Sequence, residues 1–454
     1  MKTVFVPIFS GIEGKNVLRG GIYDQFVKRG FRVIFFVGNY TRRDYYQKEY
    51  PEVTFEVIKR YRRRALDRFF SALKFFTLKT KTIDLKRQKN FSRSGSHLRF
   101  VLSFVTNRIL GNRFSRTIIR FLDARTVRDP IVTLFFDTYR PDAVFLADLF
   151  EDTEISMLRE ARRRGIPTIG YLSTWDRLTS RWGIRLLPDT LIVFNELLRD
   201  EAILYADMPA KKIVVSGAVQ LDLHLAKPPM PRAEFLKSLH LSLDTRIIVY
   251  GPLGRTFDPT NQSDVDMVKL LNGWVESGAL GNGPFKIIVR FPPNDFVDRG
   301  KLLDLPHVIY DIPGVRFATV RGQDWDMKPE ELDHLRDLLS ASSVVVCYYS
   351  SLSIDAAVFD VPVININFDL ADESRRHPYY QTTHYSKVAS VGGIRLVESA
   401  LALRSAIKEY LDEPSCDRVK REELVKQQAY RLDGGSARRI VDVLERSFKK
   451  NETK

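Results

Sequence analysis

The chain has 454 residues, 44% of them apolar, and a formal net charge of +15. That length exceeds what one hydrophobic core sustains and calls for two domains. Cys347 and Cys416 are the only cysteines, which excludes a disulfide framework and a four-cysteine zinc site and fits a reducing compartment.

The charge is concentrated. Residues 59–128 hold 20 Lys and Arg against 3 Asp and Glu, whereas the rest of the chain holds 51 against 53. A near-neutral protein thus carries one basic segment, of a kind that attracts anionic lipid, nucleic acid or a polyanionic substrate. No apolar run approaches the ~20 residues of a membrane-spanning helix. The start, MKTVFVPIF, lacks a small-residue cleavage site and reads as a strand, so the expected location is cytoplasmic.

In chain order, TVFVPIF is a strand, SGIEGKN a loop, VLRGGIYDQFVKRG a helix and RVIFFVG a strand. The apolar runs are continuous, as in parallel strands buried on both faces. The basic segment reads as helix in RALDRFFSALKFFTLK and SHLRFVLSFVTNRILGNRFSRTIIRFL, with Arg and Lys between apolar residues at helical spacing. A solvated domain face and a membrane-surface patch both fit it. No helix-turn-helix, zinc or RNA-binding signature accompanies it.

Strand–helix alternation resumes with PDAVFLAD, EISMLREARRRG, PTIGYLS, TLIVFN, LLRDEAILYA and KIVVSGA. The prolines of KPPMPRAE predict a linker over 227–237. A second set follows: RIIVYG, MVKLLNGWVESG, FKIIVRF, HVIYDI, HLRDLLSAS, SVVVCYY, SSLSIDAAVFD and PVININF, with amphipathic helices near the end. The pattern predicts an α/β protein with two doubly wound Rossmann-like domains, 1–226 and 238–454, the second holding the terminal helices. In such folds ligands lie at the carboxyl ends of the strands.

Candidate residues sit at those strand ends. Ser350, Ser351 and Ser353 crowd a helix start, where free N–H groups and hydroxyls can hold phosphate, and Asp355 can accept from ribose hydroxyls. A serine cap with an aspartate in the first turn explains the same residues without a ligand. Gly251, Gly254 and Arg255 follow another strand of the second domain, and Arg290 ends a third; glycine admits close backbone approach and arginine grips phosphate, although a tight turn with surface arginines accounts for each. Together they predict a nucleotide-phosphate site. In the first domain, Glu13, Lys15 and Asn16 lie in a glycine-bearing loop that matches neither the Walker pattern nor GxGxxG. Asp148 and Asp176, the latter beside Trp175, are strand-end carboxylates suited to a general base, or plain helix caps. No histidine spacing makes a metal site.

The order of motifs resembles the GT-B branch containing CDP-glycerol glycerophosphotransferases, UDP-N-acetylglucosamine 2-epimerases and related bacterial surface-polysaccharide glycosyltransferases. The resemblance rests on STWDRLTSRWG with DTLIVFNELLRDEAILYADMPAKKIVVSGAVQLD, then FKIIVRFPPND, SSLSIDAAVFDVPVININFD and HYSKVASVGGIRLVESALALRSAIKEYL, over roughly residues 165–415. Pro292 stands where the group has a strand-end histidine, and Arg177 where it has an asparagine after Trp-Asp. The resemblance implies two facing domains with an interdomain cleft, the second holding a UDP- or CDP-linked donor and the first an acceptor. It gives Ser350, Ser351 and Ser353 the pyrophosphate, Asp355 the ribose, and Arg290 a place near the donor.

The expected activity is transfer of a sugar, or a glycerophosphate-type group, to a lipid-linked or polysaccharide acceptor by a protein peripherally bound to the inner face of the cell membrane through residues 59–128. Asp176 or Asp148 would act as base, with no metal and no cofactor beyond the donor. A UDP-sugar 2-epimerase of the same fold, and a non-catalytic polyanion- or membrane-binding protein, are the alternatives.

Overall fold

The computed structural model describes residues 1–58, 65–254, 258, 260–295, 300, 302–317 and 325–452. The chain divides into two compact units: residues 1–222, 382–384 and 429–454 form the first, and 223–381 with 385–428 the second.

Among the described residues, the first unit is built on seven parallel strands: β1 (Thr3–Pro7), β2 (Arg32–Val37), β3 (Thr54–Val57), β4 (Ala143–Leu146), β5 (Thr168–Tyr171), β6 (Thr190–Val193) and β7 (Ile213–Val215). Their order is β3-β2-β1-β4-β5-β6-β7. The start of the chain is thus a central strand: Val4, Phe5 and Val6 are fully buried, as a parallel strand covered on both faces requires. The chain leaves β1 toward β2 on one side and reaches β4 on the other, so a crevice opens at their carboxyl ends.

Between β3 and β4 runs a helical insertion: Ala65–Leu73, Lys81–Ser94, His97–Leu110, Arg113–Thr126 and Pro130–Tyr139. The expected helix over SHLRFVLSFVTNRILGNRFSRTIIRFL is broken in two, because the Asn112 side chain accepts from the Ser115 amide and caps a new start. Lys81–Ser94 is a helix the sequence reading passed over, capped by Thr80. The insertion is fixed to the unit by buried ion pairs. Arg159 bonds Asp123 at 2.8 Å and Asp67 at 3.1 Å, and Arg185 bonds Asp123 at 2.8 Å, Asp67 at 2.7 Å and Asp152 at 2.8 Å. Residues 59–64 of the basic segment lie outside the described residues.

The terminal helix, Ser436–Glu452, belongs to the first unit, not to the second as expected. Its Ile440, Val441 and Leu444 are fully buried in one core with Phe26 and Val33, and Phe448 meets Phe31 at 5.6 Å between ring centres. Asp222 accepts from the Ser436 amide at 2.9 Å.

The second unit repeats the topology. Strands β8 (Arg246–Gly251), β9 (Phe285–Arg290), β10 (Val308–Asp311), β13 (Val344–Cys347), β14 (Val363–Ile366) and β15 (Arg395–Val397) are parallel in the order β10-β9-β8-β13-β14-β15, and β11 (Val315–Arg316) pairs antiparallel with β12 (Trp325–Asp326). The expected linker is only partly one. Residues Arg232–Ser238 are helical, with Phe235 and Leu236 buried, and Asp337 accepts from the Met230 amide at 2.9 Å. The apolar pair anchors this segment to the second unit, so the division falls at Asp222–Leu223.

Candidate active site

In the second unit the crevice lies where β8 and β13 part. Gly251 is the register partner of Cys347, and a Cβ there would stand 2.9 Å from the Cys347 Cβ and 3.0 Å from Leu352 Cδ2. Only glycine lets the two strand ends approach this closely. Gly254 has φ +74°, which favours glycine for the same lack of a Cβ. Buried Asp264 pins the loop: it accepts from the Leu253 amide at 2.7 Å, the Gly254 amide at 2.9 Å and the Tyr250 hydroxyl at 2.7 Å. The sequence reading missed Asp264, because nothing local marks an acid that reaches back ten residues. Arg255 lies outside the described residues.

The serine turn separates into two roles. Ser351 is exposed and Ser350 half-buried; the Ser350 hydroxyl accepts from the Leu352 amide at 3.2 Å. Ser353 is fully buried. It accepts from Asn365 Nδ2 at 3.1 Å and lies 3.3 Å from Cys347 Sγ and 3.4 Å from the Tyr385 hydroxyl. Ser353 therefore ties β13 to β14 and does not face a ligand, as its position two residues after Ser351 on a helix requires. Burial pushes the Cys347 thiol up to about 12, so it stays protonated.

Two further candidates are engaged by neighbours. Arg290 Nη1 donates to Asp311 Oδ2 at 2.5 Å across β9 and β10. Asp355 Oδ1 lies 3.0 Å from His224 Nε2. Beside the turn, Tyr349 stacks on Tyr379 at 4.1 Å with planes 20° apart, an aromatic platform of the kind on which a base can stack.

In the first unit the loops after β1, β4 and β5 bring Glu13, Asn16, Asp148 and the Trp175–Arg177 segment to one end of the sheet. Lys15 begins a π-helical turn, Lys15–Arg19, a distortion common at functional sites. Asn16 Nδ2 donates to the Ser173 carbonyl at 2.9 Å. Its Oδ1 is buried without a hydrogen-bond partner among the described residues.

Asp148 is buried; it accepts from Ser173 Oγ at 2.8 Å and Arg177 Nε at 2.8 Å. The residue expected as a base is thus the counterion of Arg177, the residue that departs from the family pattern. Asp176 takes the Thr174 hydroxyl at 2.6 Å and the Ser180 hydroxyl at 2.7 Å. Burial alone would raise its pKa, but Arg177, His384 and the two hydroxyls outweigh it and hold the carboxyl well below the usual range. A carboxylate so stabilised accepts protons poorly. Trp175 meets His384 edge-on at 5.1 Å; that histidine comes from 209 residues further along the chain, a separation no spacing motif reveals.

Glu13 differs. Burial, then the charges of Asp148 and Glu151, push its carboxyl up to about 8, against the Ser10 amide and Arg177. Glu154, which accepts from the Asp148 amide at 3.3 Å, is raised by burial and by Glu13.

The model of the CDP-Glycerol:Poly(glycerophosphate) glycerophosphotransferase family matches residues 316–446, a stretch that holds β13, the serine turn, β14 and β15. No curated protein matches the chain. Several solved structures match along nearly its whole length. The UDP-GlcNAc 2-epimerase from Neisseria meningitidis, bound to UDP-GlcNAc, is 12% identical, with a TM-score of 0.55 over 98% of this chain and 100% of that one. The S. aureus MnaA–UDP co-structure is 11% identical, with a TM-score of 0.57 over 99% and 97%. The wall teichoic acid polymerase TagF is 13% identical, with a TM-score of 0.51 over 99% and 90%. The fold is the GT-B fold of these proteins, and residues 316–446 are similar to the CDP-glycerol glycerophosphotransferases, the branch to which the motifs pointed.

Proposed function

We propose that the chain is a transferase that takes a nucleotide-activated donor at the strand ends of the second unit and passes its glycerophosphate or sugar group to a hydroxyl of a lipid-linked or polysaccharide acceptor. The observation that carries this reading is that the family match, residues 316–446, takes in β13 and the serine turn, one side of the crevice between β8 and β13. The backbone of Gly251–Gly254 and the hydroxyls of Ser350 and Ser351 face the donor phosphates, and the Tyr349–Tyr379 pair lies beside them. Arg290 and Asp355 brace the walls through Asp311 and His224.

The first unit supplies the acceptor side. Glu13, whose carboxyl burial and the neighbouring charges push up to about 8, takes the acceptor's proton in place of Asp148 or Asp176. With a CDP-glycerol type donor, the acceptor oxygen attacks the phosphorus that bears glycerol, the P–O–P bridge breaks, and CMP leaves. With a sugar donor it attacks the anomeric carbon, and the nucleoside diphosphate leaves. A 2-epimerase, favoured by the full-length likeness to structures holding UDP or UDP-GlcNAc, consumes no acceptor and releases no nucleotide at equilibrium.

A thermal-shift series with CMP, CDP, UDP and GDP tests the donor site; at a ligand concentration a hundred times Kd, about 2.7 kcal/mol of stabilisation is expected. No shift with any of the four would remove the donor reading. The nucleotide released on turnover then separates the chemistries: CMP for glycerophosphate transfer, UDP for sugar transfer, none for epimerisation. Gly251→Val places its Cβ against Cys347 and Leu352. It is expected to cost about 1–3 kcal/mol by overpacking and to remove the nucleotide-induced shift, both read from denaturant melts with and without ligand.

A further inference from the structure

The glutamate in the first turn of helix Asp152–Arg163 does not cap its own helix. Glu154 stands three residues after the N-terminal cap, Glu151, where a glutamate ordinarily reaches back to the amide of the cap itself. Here Glu154 Oε2 reaches further back, to the end of β4, and accepts from the Asp148 amide at 3.3 Å and from the Leu149 amide. Leu149 has φ +68°, a left-handed conformation that leucine rarely adopts. Its side chain is fully buried against β5, where a Cβ on Gly170 would fall 2.4 Å from Leu149 Cδ1. Two successive amides on one carboxyl, a left-handed leucine and a glycine opposite it fix this strand end in one shape. Turns held this way against their own strain gather at functional sites.

Glu154 is itself fully buried, and its other oxygen, Oε1, has no hydrogen-bond partner among the described residues. Arg177, the cation of this corner, pairs with Asp148 at 2.8 Å, and the charges that act on Glu154 are those of Glu13, Asp148 and Glu151. An ionised carboxyl with one oxygen undonated in such a place would carry uncompensated charge; the neutral acid does not. Burial first, then Glu13 and Asp148, hold the Glu154 carboxyl well above the usual range, against the Leu149 amide. The turn matters to Glu13 as well. After burial, the charge of Asp148 does most to raise the Glu13 carboxyl, and it is the main chain of Asp148 that Glu154 holds.

We propose that Glu154 is a positioning residue of the acceptor site: its carboxyl clamps the Asp148–Leu149 turn, and through that turn it sets where the Asp148 carboxylate stands beside Glu13. It does so as a neutral acid, and it acts through Asp148 rather than on the substrate. The clamp keeps Asp148 on Ser173 Oγ and Arg177 Nε, close enough for its charge to hold the proton on Glu13. For its bearing on turnover the inference rests on Glu13 as the group that takes the acceptor's proton; for the clamp itself it does not.

The test compares Glu154→Ala with Glu154→Gln in the full chain, by urea melts across pH and by the pH profile of turnover. Neither variant holds the Glu154 proton, so the difference between them reports Glu13. In the glutamine variant, whose side-chain oxygen accepts from the same two amides, stability falls with rising pH until about pH 8, where the Glu13 carboxyl ionises. In the alanine variant Asp148 draws away, the Glu13 carboxyl loses part of its lift, and the decline ends about one pH unit lower. The acid limb of turnover moves down with it, and turnover at the optimum falls about 10²-fold; glutamine restores both. Infrared difference spectra between wild type and the glutamine variant at neutral pH show a carboxylic-acid C=O band. An alanine variant whose decline still runs to about pH 8 overturns the proposal and leaves Glu154 a buried structural acid. A glutamine variant with a displaced acid limb, or a carboxylate band in place of the acid band, overturns it too, and both can be read even where alanine prevents folding. If Glu13→Gln keeps its turnover, the reading of Glu13 as proton acceptor fails, while the melts, which follow the Glu13 proton without a reaction, still decide the role of Glu154.

Discussion

Arg185→Met is expected to destabilise the protein by about 3–5 kcal/mol, among the largest single-residue losses outside the apolar core. Arg185 holds Asp123, Asp67 and Asp152 at once, and Asp123 and Arg159 are each about 99% removed from solvent at the side chain. The network balances three carboxylates against Arg159, Arg185 and Lys74. Methionine preserves much of the packing but leaves buried carboxylates with one cation too few, and it is that uncompensated charge that costs, rather than the loss of one attractive pair. Asp123→Asn is expected to cost a similar amount. Because the two residues share one network, the double variant should lose less than the sum of the singles. Urea melts of the four proteins measure this; strict additivity would show that the two groups act independently. The network joins helices Ala65–Leu73 and Arg113–Thr126 to helix Asp152–Arg163. Hydrogen exchange in the variants should therefore quicken first in the insertion, ahead of β1 and β4.

The two doubly wound sheets were legible because continuous apolar strands alternate with helices, a local signal that survives whatever lies across the sheet. TVFVPIF, RIIVYG and SVVVCYY each supply a strand beside a crevice, and the glycines and serines that follow them stand at its edge. What local pattern does not carry is which sheet a helix covers. The stripe Ile440–Leu444–Phe448 fits either core, and only the tertiary structure assigns it to the first. The same limit separates Ser351 from Ser353: both read as hydroxyls at a helix start, but two residues of helix turn one outward and the other into the Cys347–Asn365–Tyr385 network. Asp148 and Arg290 were legible as strand-end charges, but their partners, Arg177 and Asp311, are 29 and 21 residues distant, and pairing is a property of register rather than of sequence spacing.

The basic segment shows the converse. Its composition pointed to a phosphate-rich partner, yet composition counts Arg116, Arg120 and Arg99 alike. In the folded unit the first two neutralise Asp207, and the third remains at the surface. Leu98, Leu102, Ile109, Phe114, Ile118 and Phe121, which recur at helical spacing, are left outside, because in Arg113–Thr126 the ion pairs of Arg116 and Asp123 occupy the inward face. Exposure therefore decides which part of the segment meets a partner.

Glu13→Gln is expected to flatten the fall of stability with rising pH and to remove turnover. In the folded chain burial, Asp148 and Glu151 raise the Glu13 carboxyl from 4.5 to about 8. Below pH 4.5 folded and unfolded chains both hold the proton, and the group contributes no pH dependence. Between 4.5 and about 8 the unfolded chain has released a proton that the folded chain keeps, so stability declines as pH rises, by up to about 1.4 kcal/mol per unit. Above about 8 the carboxyl is ionised in both states and the decline stops. Glutamine holds no such proton. Its oxygen can still accept from the Phe9 and Ser10 amides, and its NH₂ group can donate to the Ser10 hydroxyl, the groups that Glu13 contacts. The variant should therefore match the wild type near pH 4.5 and exceed it increasingly toward pH 8 in urea melts, with a smaller decline left from Glu154, which is raised by the same burial. A variant that ran parallel to the wild type at every pH would show that Glu13 is already ionised in the folded chain. Loss of a positioned proton acceptor lowers turnover by about 10²- to 10⁴-fold, while the nucleotide-induced shift, which belongs to the second unit, stays in place. Turnover that survived with the pH dependence flattened would make Glu13 a buried structural acid and return the acceptor's proton to another group. The two readouts are independent because one follows a proton held at equilibrium and the other a proton moved in the reaction.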